Sequence, residues 1–318
     1  MSCDHASGAE TRQNDERAAL TSRIIPQMTL STASNPLTAP LPRLPTSSSA
    51  GERASQRFAI EGNAVLTGGA GTIALAAARA LLEHGASAIC LMDLPATLES
   101  SAQSINALKA AKAAAKTGAD IFTVAVDVTS SEAVSAAFSR AVVLMGGSID
   151  ILCCFAGVVG CVPSVSVGAS DFQRVVDVNL TGSFLCAQAA ARHMIEAGRG
   201  GSILFTASIS AHATNFPQPQ AAYNVSKAGV SQLTKNLAAE WAVHGIRVNC
   251  LSPGYMDTVL NAGDNLKPLR DSWASRCPMG RMGDVEEITG PVVLLCSRRA
   301  GRYMTGSELI VDGGALCF

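Results

Sequence analysis

The sequence is poor in charged and in aromatic residues. Asp, Glu, Lys and Arg make up 15% of its 318 residues, the formal net charge is −1, and Phe, Trp and Tyr make up 4%. This balance gives no electrostatic reason to expect a nucleic acid or an anionic membrane surface as a partner. The hydrophobic fraction is 48% and mostly aliphatic, which is enough for a large buried core.

Long apolar runs and closely paired cysteines are also absent. No apolar run approaches the roughly 18 residues of a membrane-spanning helix, and the 10 cysteines show no CxxC spacing. Most cysteines lie in apolar stretches such as AICLM and RVNCLSP, which favours buried free thiols in a reducing, cytoplasmic compartment. The 5 histidines show no ligand spacing, so no metal site is expected.

Residues 1–57 differ in composition from the rest of the chain. They are rich in Ser, Thr, Ala and Pro and show no hydrophobic period, which predicts a disordered leader that can be deleted without loss of stability or activity. Arginines without acidic residues between Arg17 and Gly51 are a weak sign of an organellar transit peptide. Against it, acidic residues crowd the extreme N-terminus: Asp4, Glu10, Asp15 and Glu16.

Residues 58–318 alternate short apolar segments with long Ala-rich segments. The segments NAVLTG, SAICLMDL, IFTVAVDV, IDILCCFAG, GSILFTAS, GIRVNCLSP and ELIVDGG indicate strands. Helices are predicted at about residues 72–85, 97–116, 131–146, 171–198, 222–244 and 284–297. Continuous apolar strands separated by helices predict one parallel sheet of about seven strands with helices on both faces. The fold class is therefore α/β, a single doubly wound domain of the Rossmann type.

The first predicted strand runs into a glycine-rich turn, TGGAGTIA, and then directly into a helix. Glycines at such a turn let backbone amides approach a pyrophosphate at the helix N-terminus. The turn residues expected at the pyrophosphate are Gly68, Gly69, Gly71, Thr72 and Ile73.

Asp93 ends the second predicted strand. A carboxylate at this place accepts hydrogen bonds from the adenine ribose hydroxyls of NAD, and its charge repels the 2′-phosphate of NADP. No Arg or Lys follows in DLPATLES to compensate for that repulsion. The sequence therefore predicts NAD as the cofactor, with NADP as the second choice.

The segment YNVSK places Tyr223 and Lys227 four residues apart on one face of a predicted helix. A cation near a phenol lowers the phenol pKa from about 10, which would make Tyr223 a proton donor and acceptor near neutral pH. The spacing alone also occurs by chance, so its meaning depends on the other motifs.

Taken in order, these motifs resemble the short-chain dehydrogenase/reductase family over residues 58–318. Besides the glycine-rich turn and YNVSK, the resemblance rests on VDVT after the third strand, CFAG at the end of the fourth, SPGYMDT after the sixth and VDGG near the end. The catalytic residues that it implies are Asn179, Ser208, Tyr223 and Lys227. The further cofactor contacts that it implies are Asp127, Val128, Ala156, Gly157, Pro253, Gly254, Met256 and Thr258, with Tyr223 and Lys227.

The resemblance also implies a role for each catalytic residue. Tyr223 would exchange a proton with the substrate oxygen while a hydride passes between nicotinamide and the carbinol carbon, and Ser208 would hydrogen-bond that oxygen. Lys227 would contact the nicotinamide ribose, and Asn179 would hold a water that connects Lys227 to solvent.

Several positions depart from the family pattern. Thr72 and Ala74 stand at the second and third glycine positions of TGxxxGxG, although the looser GxGxxA pattern still fits, and Cys154 replaces an asparagine. Ser208 lies two residues farther than usual from the catalytic tyrosine. Ser210 would restore the usual spacing but lies past the predicted strand end.

The segment from about residue 258 to 282 is expected to form a substrate lid. Its polar residues suit a polyhydroxylated substrate, because each hydroxyl needs a partner once it is dehydrated, but they could also simply face solvent. These residues are Asn261, Asp264, Asn265, Arg270 and Asp271, together with Asn215, Gln218 and Gln220 before the catalytic tyrosine.

The overall pattern is similar to fungal polyol dehydrogenases and ketose reductases, such as arabinitol, sorbose or xylulose enzymes. The expected reaction is the NAD(P)-dependent interconversion of a secondary alcohol and a ketone, on a small-molecule sugar alcohol or ketose. Two alternatives stay open: a ketoreductase of secondary metabolism that acts on a larger ketone, and a cofactor-binding protein with weakened catalysis. The resemblance also implies a homotetramer or homodimer paired through the helices at about 171–198 and 222–244 and through the C-terminal strand region.

Overall fold

A computed structural model describes Ala18 and residues 20–114, 118–258 and 264–318. Seven strands form one parallel sheet in the order β3-β2-β1-β4-β5-β6-β7. All seven predicted strands are present, and the predicted doubly wound α/β fold is confirmed. The strands are β1 (Asn63–Thr67), β2 (Ala88–Asp93), β3 (Asp120–Ala125), β4 (Ile151–Cys154), β5 (Gly201–Thr206), β6 (Ile246–Pro253) and β7 (Glu308–Val311).

The helices match the predictions in position but differ in detail. The helix expected at 171–198 is interrupted by a π-helical segment, and the helix expected at 97–116 is split by Ser101. Two helices, α1 and α9 below, were not predicted. The helices are α1 (Ala50–Phe58), α2 (Thr72–Glu83), α3 (Pro95–Ser100), α4 (Ala102–Ala114), α5 (Ser131–Leu144), α6 (Ala169–Val176), α7 (Gly182–Ala197), α8 (Ala221–Trp241), α9 (Lys267–Ser275) and α10 (Thr289–Cys296).

Both faces of the sheet are covered, as the continuous apolar strands require. Every residue of β1, β4 and β6 is buried. Helices α5, α7 and α8 pack on one face, and α2, α4 and α10 pack on the other. The cysteines of the described residues are all free, and the Cys153 and Cys296 sulfurs lie 3.7 Å apart in the core.

Residues 35–42, which we call the strap, lie against the domain and begin with a turn in which the Thr38 and Ala39 amides donate to the Asn35 carbonyl. Asn35, Leu37, Ala39 and Leu41 are partly buried, and the residues between them are exposed. Asn35 donates to the Val243 carbonyl over 2.8 Å. The structure thus differs from the leader without order that was expected over residues 1–57, because a period-2 pattern among the prolines lets this segment dock. Residues 1–17 and 19 of that leader lie outside the described residues.

Two further contacts fix the segment around the strap. Arg302 donates to the carbonyls of Leu37 and Ala39, at 2.9 and 2.5 Å. After the strap, α1 begins with a capping box formed by Ser49 and Glu52. None of the helices within the described residues is both long and apolar enough to cross a membrane.

Candidate active site

The expected catalytic residues gather where β4 and β5 end at the carboxyl edge of the sheet. In an open parallel sheet this edge is where ligands bind, because the strand order reverses there between β1 and β4. Tyr223 and Lys227 lie on the first two turns of α8, which packs against β6 and the turn after β5. The Lys227 ammonium lies 5.6 Å from the centroid of the Tyr223 ring and is 5% exposed. It donates to the Thr206 carbonyl over 2.7 Å.

The pKa values of the tyrosine and lysine are both set mainly by burial. Burial raises the pKa of Tyr223 above its ordinary value of 10.0, and a hydrogen bond with Ser208 acts in the opposite direction. Burial lowers the pKa of Lys227 to about 8. The sequence predicted a lowered phenol pKa. In the protein alone the loss of hydration is the larger effect, so the phenol needs a further cation beside it before it ionises near neutral pH.

Asn179 is fully buried in the π-helical segment Asp177–Thr181. Its Oδ1 accepts from the Val158 amide over 2.8 Å, and its Nδ2 donates to the Val158 carbonyl and to the Ser226 hydroxyl, both over 3.0 Å. Such single π turns occur frequently at functional sites, because the extra residue turns one side chain out of register. A Cβ atom added to Gly157 would lie 3.3 Å from the Asn179 Oδ1 and 3.6 Å from the Lys227 Nζ, so both groups lie close to the Cα of this glycine.

Ser208 follows β5 and precedes a short 3₁₀ turn, Ile209–Ala211. Its hydroxyl lies 3.1 Å from the Ser210 hydroxyl and accepts from the Ser210 amide. Both serines are buried. The hydrogen bond between Ser208 and the Tyr223 phenol favours Ser208 over Ser210 as the residue beside the reacting oxygen.

A carboxylate at the start of β7 connects three parts of the site. Glu308 accepts from the hydroxyls of Ser231 and Ser252, and one of its oxygens lies 2.7 Å from the His212 Nε2. His212 is four residues after the expected catalytic serine, Ser231 is one helical turn after the catalytic lysine, and Ser252 directly precedes the PG of SPGYMDT. The sequence reasoning missed Glu308. The available signal was an acidic residue at the start of an otherwise apolar strand.

A cavity of about 510 Å³ lies between the glycine-rich turn and the ends of β2, β3 and β4. Two glycines of the turn are required by sterics. Gly68 has a φ of +64°, and a Cβ added there would lie 2.5 Å from the Ala156 nitrogen. A Cβ on Gly69 would lie 2.7 Å from the Leu66 carbonyl oxygen. The expected cofactor residues that line the cavity are Gly68, Gly71, Thr72, Ile73, Asp93, Asp127, Val128, Ala156, Gly157 and Thr258.

The start of α2 suits a phosphate group. Gly71 is the N-cap residue, and no side chain caps the first amides of the helix. Amides in this position together with the helix dipole bind anions. Thr72 is the first residue of the helix, and both Thr72 and the buried Ala74 line the cavity. The residues present therefore fit a dinucleotide at this end of the sheet.

Asp93 carries out two structural tasks at the rim of the cavity. Its Oδ2 accepts from the Ala70 amide over 3.1 Å, and its Oδ1 accepts from the Leu94 amide over 2.8 Å. Each carboxylate oxygen can accept a second hydrogen bond, so the group remains able to bind a ribose diol. Asp127 is exposed, and its Oδ1 accepts from the Thr129 amide and hydroxyl.

Six expected cofactor residues do not line this cavity: Tyr223 and Lys227 on α8, and Gly69, Pro253, Gly254 and Met256. Gly69 lies beneath the turn, and Pro253 is buried at the end of β6. A Cβ on Gly254 would lie 2.7 Å from the Asp312 Cα, and Met256 is buried next to Gly283. Cys154 is buried below the site, where desolvation raises its pKa to about 12.

An aromatic pair lies beside Tyr223 and was also missed from the sequence. Tyr255 stacks on Trp273 of α9 with ring centroids 4.3 Å apart and an interplanar angle of 3°. Two residues that the sequence did indicate, Asn215 and Gln218, donate to the Tyr255 hydroxyl over 2.6 and 2.8 Å. A tyrosine and a tryptophan that lie 18 residues apart in sequence give no periodic signal.

Two charged residues of the expected lid, Arg270 and Asp271, form ion pairs. Arg270 donates to both carboxylate oxygens of Asp257, at 2.7 and 2.8 Å. Asp271 pairs with Lys267 on the exposed side of α9. Asn265 is exposed, and Asn261 lies outside the described residues.

Comparison with known proteins agrees with this geometry. A family model described as enoyl-(acyl carrier protein) reductase matches residues 68–315. D-arabinitol 2-dehydrogenase [ribulose-forming] of Scheffersomyces stipitis is 37% identical over 82% of this chain and 96% of its own. Short chain dehydrogenases/reductase notP' of Aspergillus versicolor is 38% identical over 82% of this chain and 89% of its own.

A solved structure extends the agreement to the fold. The crystal structure of a gluconate 5-dehydrogenase from Burkholderia cenocepacia in complex with NADP and tartrate has a TM-score of 0.73. It is 33% identical and covers 83% of this chain and 99% of its own. The chain therefore belongs to the short-chain dehydrogenase/reductase family, and its activity is that of an NAD(P)-dependent alcohol dehydrogenase or ketoreductase.

Proposed function

We propose that the protein interconverts a sugar alcohol and a ketose. The observation that carries the proposal is the polar wall beside Tyr223, where Tyr255, Asn215 and Gln218 lie together. Hydroxyl groups of a polyol need hydrogen-bond partners when they leave water, and this wall offers them. The arabinitol-oxidising relative supports the same substrate class.

In this proposal a nicotinamide held beside Tyr223 and Lys227 would supply the hydride chemistry at the carbinol carbon. Tyr223 takes the proton of the substrate hydroxyl, and Ser208 donates a hydrogen bond to the same oxygen. Lys227 stabilises the ionised phenol and contacts the nicotinamide ribose. Asn179, which like Lys227 lies close to Gly157, holds the water through which the proton leaves. Reduction of a ketone runs the same steps in reverse.

For the cofactor, we propose that NAD is preferred. Asp93 lines the cavity as a charged group, and among the described residues no Arg or Lys side chain lines that cavity. A 2′-phosphate would meet this carboxylate without a cation to offset the repulsion. Pro253, Gly254 and Met256 do not line the cavity but remain expected contacts of the nicotinamide.

The second candidate function is a ketoreductase that acts on a larger, more apolar ketone. Two exposed apolar side chains, Phe216 in the loop before Tyr223 and Met279 in the expected lid, favour it. A third reading, a cofactor-binding protein with weakened catalysis, rests on Thr72, Ala74 and Cys154. The arrangement of Tyr223 and Lys227 argues against that reading.

One screen tests these functions together. NAD- and NADP-linked rates are measured with a panel of pentitols and hexitols, with the corresponding ketoses, and with bulky aromatic and bicyclic ketones. Higher kcat/KM for a polyol or ketose supports the proposal, and higher kcat/KM for bulky ketones supports the second candidate. Absence of turnover with every compound, while NAD still binds in calorimetry, would support the third reading.

We further propose a homotetramer or homodimer that pairs through α7 and α8. A groove of about 420 Å³ runs between these helices and is lined by apolar residues such as Phe184 and Leu237. Arg192 and Glu240 also line it, so a two-fold axis would bring opposite charges together. A single species of monomer mass in sedimentation at micromolar concentration would refute this assembly.

A cytoplasmic location is proposed from the thiols. Within the described part of the chain no cysteine pair is bonded, and most of the thiols are buried, as in proteins of reducing compartments. A fluorescent protein fused to the C-terminus tests this, and an organellar pattern that is lost when residues 1–57 are deleted would show a transit peptide instead.

A further inference from the structure

The Tyr255 hydroxyl has an unusual set of neighbours. It accepts two hydrogen bonds from side-chain amides, one from Asn215 over 2.6 Å and one from Gln218 over 2.8 Å. A phenol oxygen has capacity for about two acceptor contacts and one donor contact. Its acceptor capacity is therefore filled. Within the described parts of the chain, the structure shows no acceptor for the phenolic proton.

The direction of the Gln218 bond is fixed by Trp273. An indole nitrogen can only donate, and the Trp273 Nε1 donates to the Gln218 Oε1 over 3.1 Å. The Gln218 amide must therefore present its NH₂ group to the Tyr255 hydroxyl, which cannot donate in return. This chain of bonds turns the phenol of Tyr255 into a donor toward the cleft.

The position of the Tyr255 ring is also held rigidly. Trp273 is 6% exposed and stacks on the ring at 4.3 Å, and α9 carries this tryptophan across the site. Tyr255 is close enough to Tyr223 that its ionisation would raise the pKa of Tyr223. A donor fixed beside the catalytic phenol suits a substrate oxygen next to the reacting one.

We propose that Tyr255 is a specificity-determining residue whose hydroxyl donates a hydrogen bond to a substrate hydroxyl on a carbon next to the reacting carbon. The inference rests on the proposed polyol or ketose substrate and adds the residue that recognises its neighbouring hydroxyl. A simple secondary alcohol leaves this donor without a partner in a partly buried cleft. Polyols are favoured over it for that reason.

The test compares two substrates in the full-length enzyme with its cofactor. The first is the polyol with the highest kcat/KM in the screen above, and the second is 2-pentanol, which carries a single secondary hydroxyl. Tyr255→Phe is expected to lower kcat/KM for the polyol by about 5- to 30-fold, mainly through KM, and to change kcat/KM for 2-pentanol by less than about two-fold. Tyr303→Phe is the matched control, because Tyr303 is fully exposed.

A second variant addresses the chain of bonds. Trp273→Phe keeps an aromatic ring on Tyr255 but removes the donor that orients Gln218, so part of the polyol preference should be lost. Thermal unfolding of each variant records its folded state, and the ratio of the two substrates cancels any loss of active protein.

Each outcome decides a separate question. If the wild-type enzyme turns over no polyol faster than 2-pentanol, the proposed substrate class is wrong and Tyr255 has no such role. If the wild-type enzyme prefers the polyol but Tyr255→Phe lowers both rates equally, the substrate class stands and the role of Tyr255 is refuted.

Discussion

The two ends of the parallel sheet use their polar residues in different ways. At the carboxyl end, Asp93 lines the cofactor cavity with hydrogen-bonding capacity to spare, and the Tyr255 hydroxyl keeps a donor that is unused within the described residues. At the amino end, Arg247 is 8% exposed, and its bonds run to the Ser202 hydroxyl and to backbone carbonyls, among them that of Leu295 at 2.8 Å. Burial lowers its pKa to about 10, yet it remains charged at neutral pH.

This difference implies that the two ends of the strands have different roles, one in activity and the other in stability. Carbonyls at the end of α10 offset the Arg247 charge, because the C-terminus of a helix carries partial negative charge. The neighbouring Arg299 and Arg302 likewise donate hydrogen bonds to backbone carbonyls, in their case those of the strap. Changes at the carboxyl end should therefore alter rates, and changes at the amino end should alter the free energy of unfolding.

The largest expected effect is at the carboxyl end. Tyr223→Phe removes the transferable proton and should lower kcat by about 10²- to 10⁴-fold, since general acid–base groups typically contribute that much. Binding of NAD, measured by calorimetry, should stay nearly unchanged. A variant that keeps more than a tenth of the wild-type rate would show that another group moves the proton.

The next largest effect is expected on the preference between NAD and NADP. Asp93→Ala with Leu94→Arg removes the repulsion and supplies a phosphate partner, which should reverse much of an NAD preference of about 10- to 1,000-fold in kcat/KM. Glu99→Ala is the control, because Glu99 is an exposed acid nearby on α3. Equal or better kinetics of the unmodified enzyme with NADP would refute the role of Asp93.

Lys227 affects both activity and stability, because burying a charged lysine costs free energy on folding. Its folded pKa of about 8 lies below its ordinary value of 10.5, so the unfolded chain binds the proton more tightly. The free energy of unfolding should therefore rise between pH 8 and 10.5, as the folded protein gives up this proton first. Below pH 8 the full cost of the buried charge remains.

Lys227→Met tests this cost directly. The variant should lose activity but gain about 1–3 kcal/mol of stability at pH 7, less than the pKa shift alone implies, because the Thr206 carbonyl loses its donor. The gain should shrink by pH 10. Lys235→Met, on the exposed side of the same helix, should change neither the activity nor the stability. Chemical unfolding at both pH values is the measurement, and a destabilised Lys227→Met at pH 7 would contradict it.

Prediction from sequence succeeded for the fold. The seven strands and the glycine-rich turn are each contained in a few consecutive residues, so they could be identified without coordinates. The catalytic roles of Asn179, Ser208, Tyr223 and Lys227 stay predictions. Glu308, Tyr255 and Trp273 could not be identified from the sequence, because their roles arise from contacts between segments that lie far apart in sequence. The π-helical turn at Asn179 was missed for another reason: inserting one residue leaves the helical pattern on both sides intact.

The strap was missed because its apolar residues alternate with prolines and small residues. Leu37, Ala39 and Leu41 follow a period of 2 without any strand partner, and this pattern was taken for low complexity. Proline restricts the backbone of such a segment before it docks, so less conformational entropy is lost on docking. Leu37 lies against Gly245, where a Cβ atom would come within 2.7 Å of the Leu37 Cβ.

The smallest effect we predict is at this amino end. Deletion of residues 1–45 leaves α1 in place and removes the strap with its bonds to Arg299 and Arg302. The melting temperature should fall by about 3–6 °C, which corresponds to roughly 1–2 kcal/mol for a domain of this size. Arg302→Ala should reproduce part of the fall, and Arg79→Ala, an exposed arginine on α2, should not. The kcat at 25 °C should stay within about two-fold of wild type in all three, because the carboxyl end is untouched. An unchanged melting temperature would mean that the strap adds nothing to stability, whereas a large loss of kcat would mean that the two ends of the sheet are coupled.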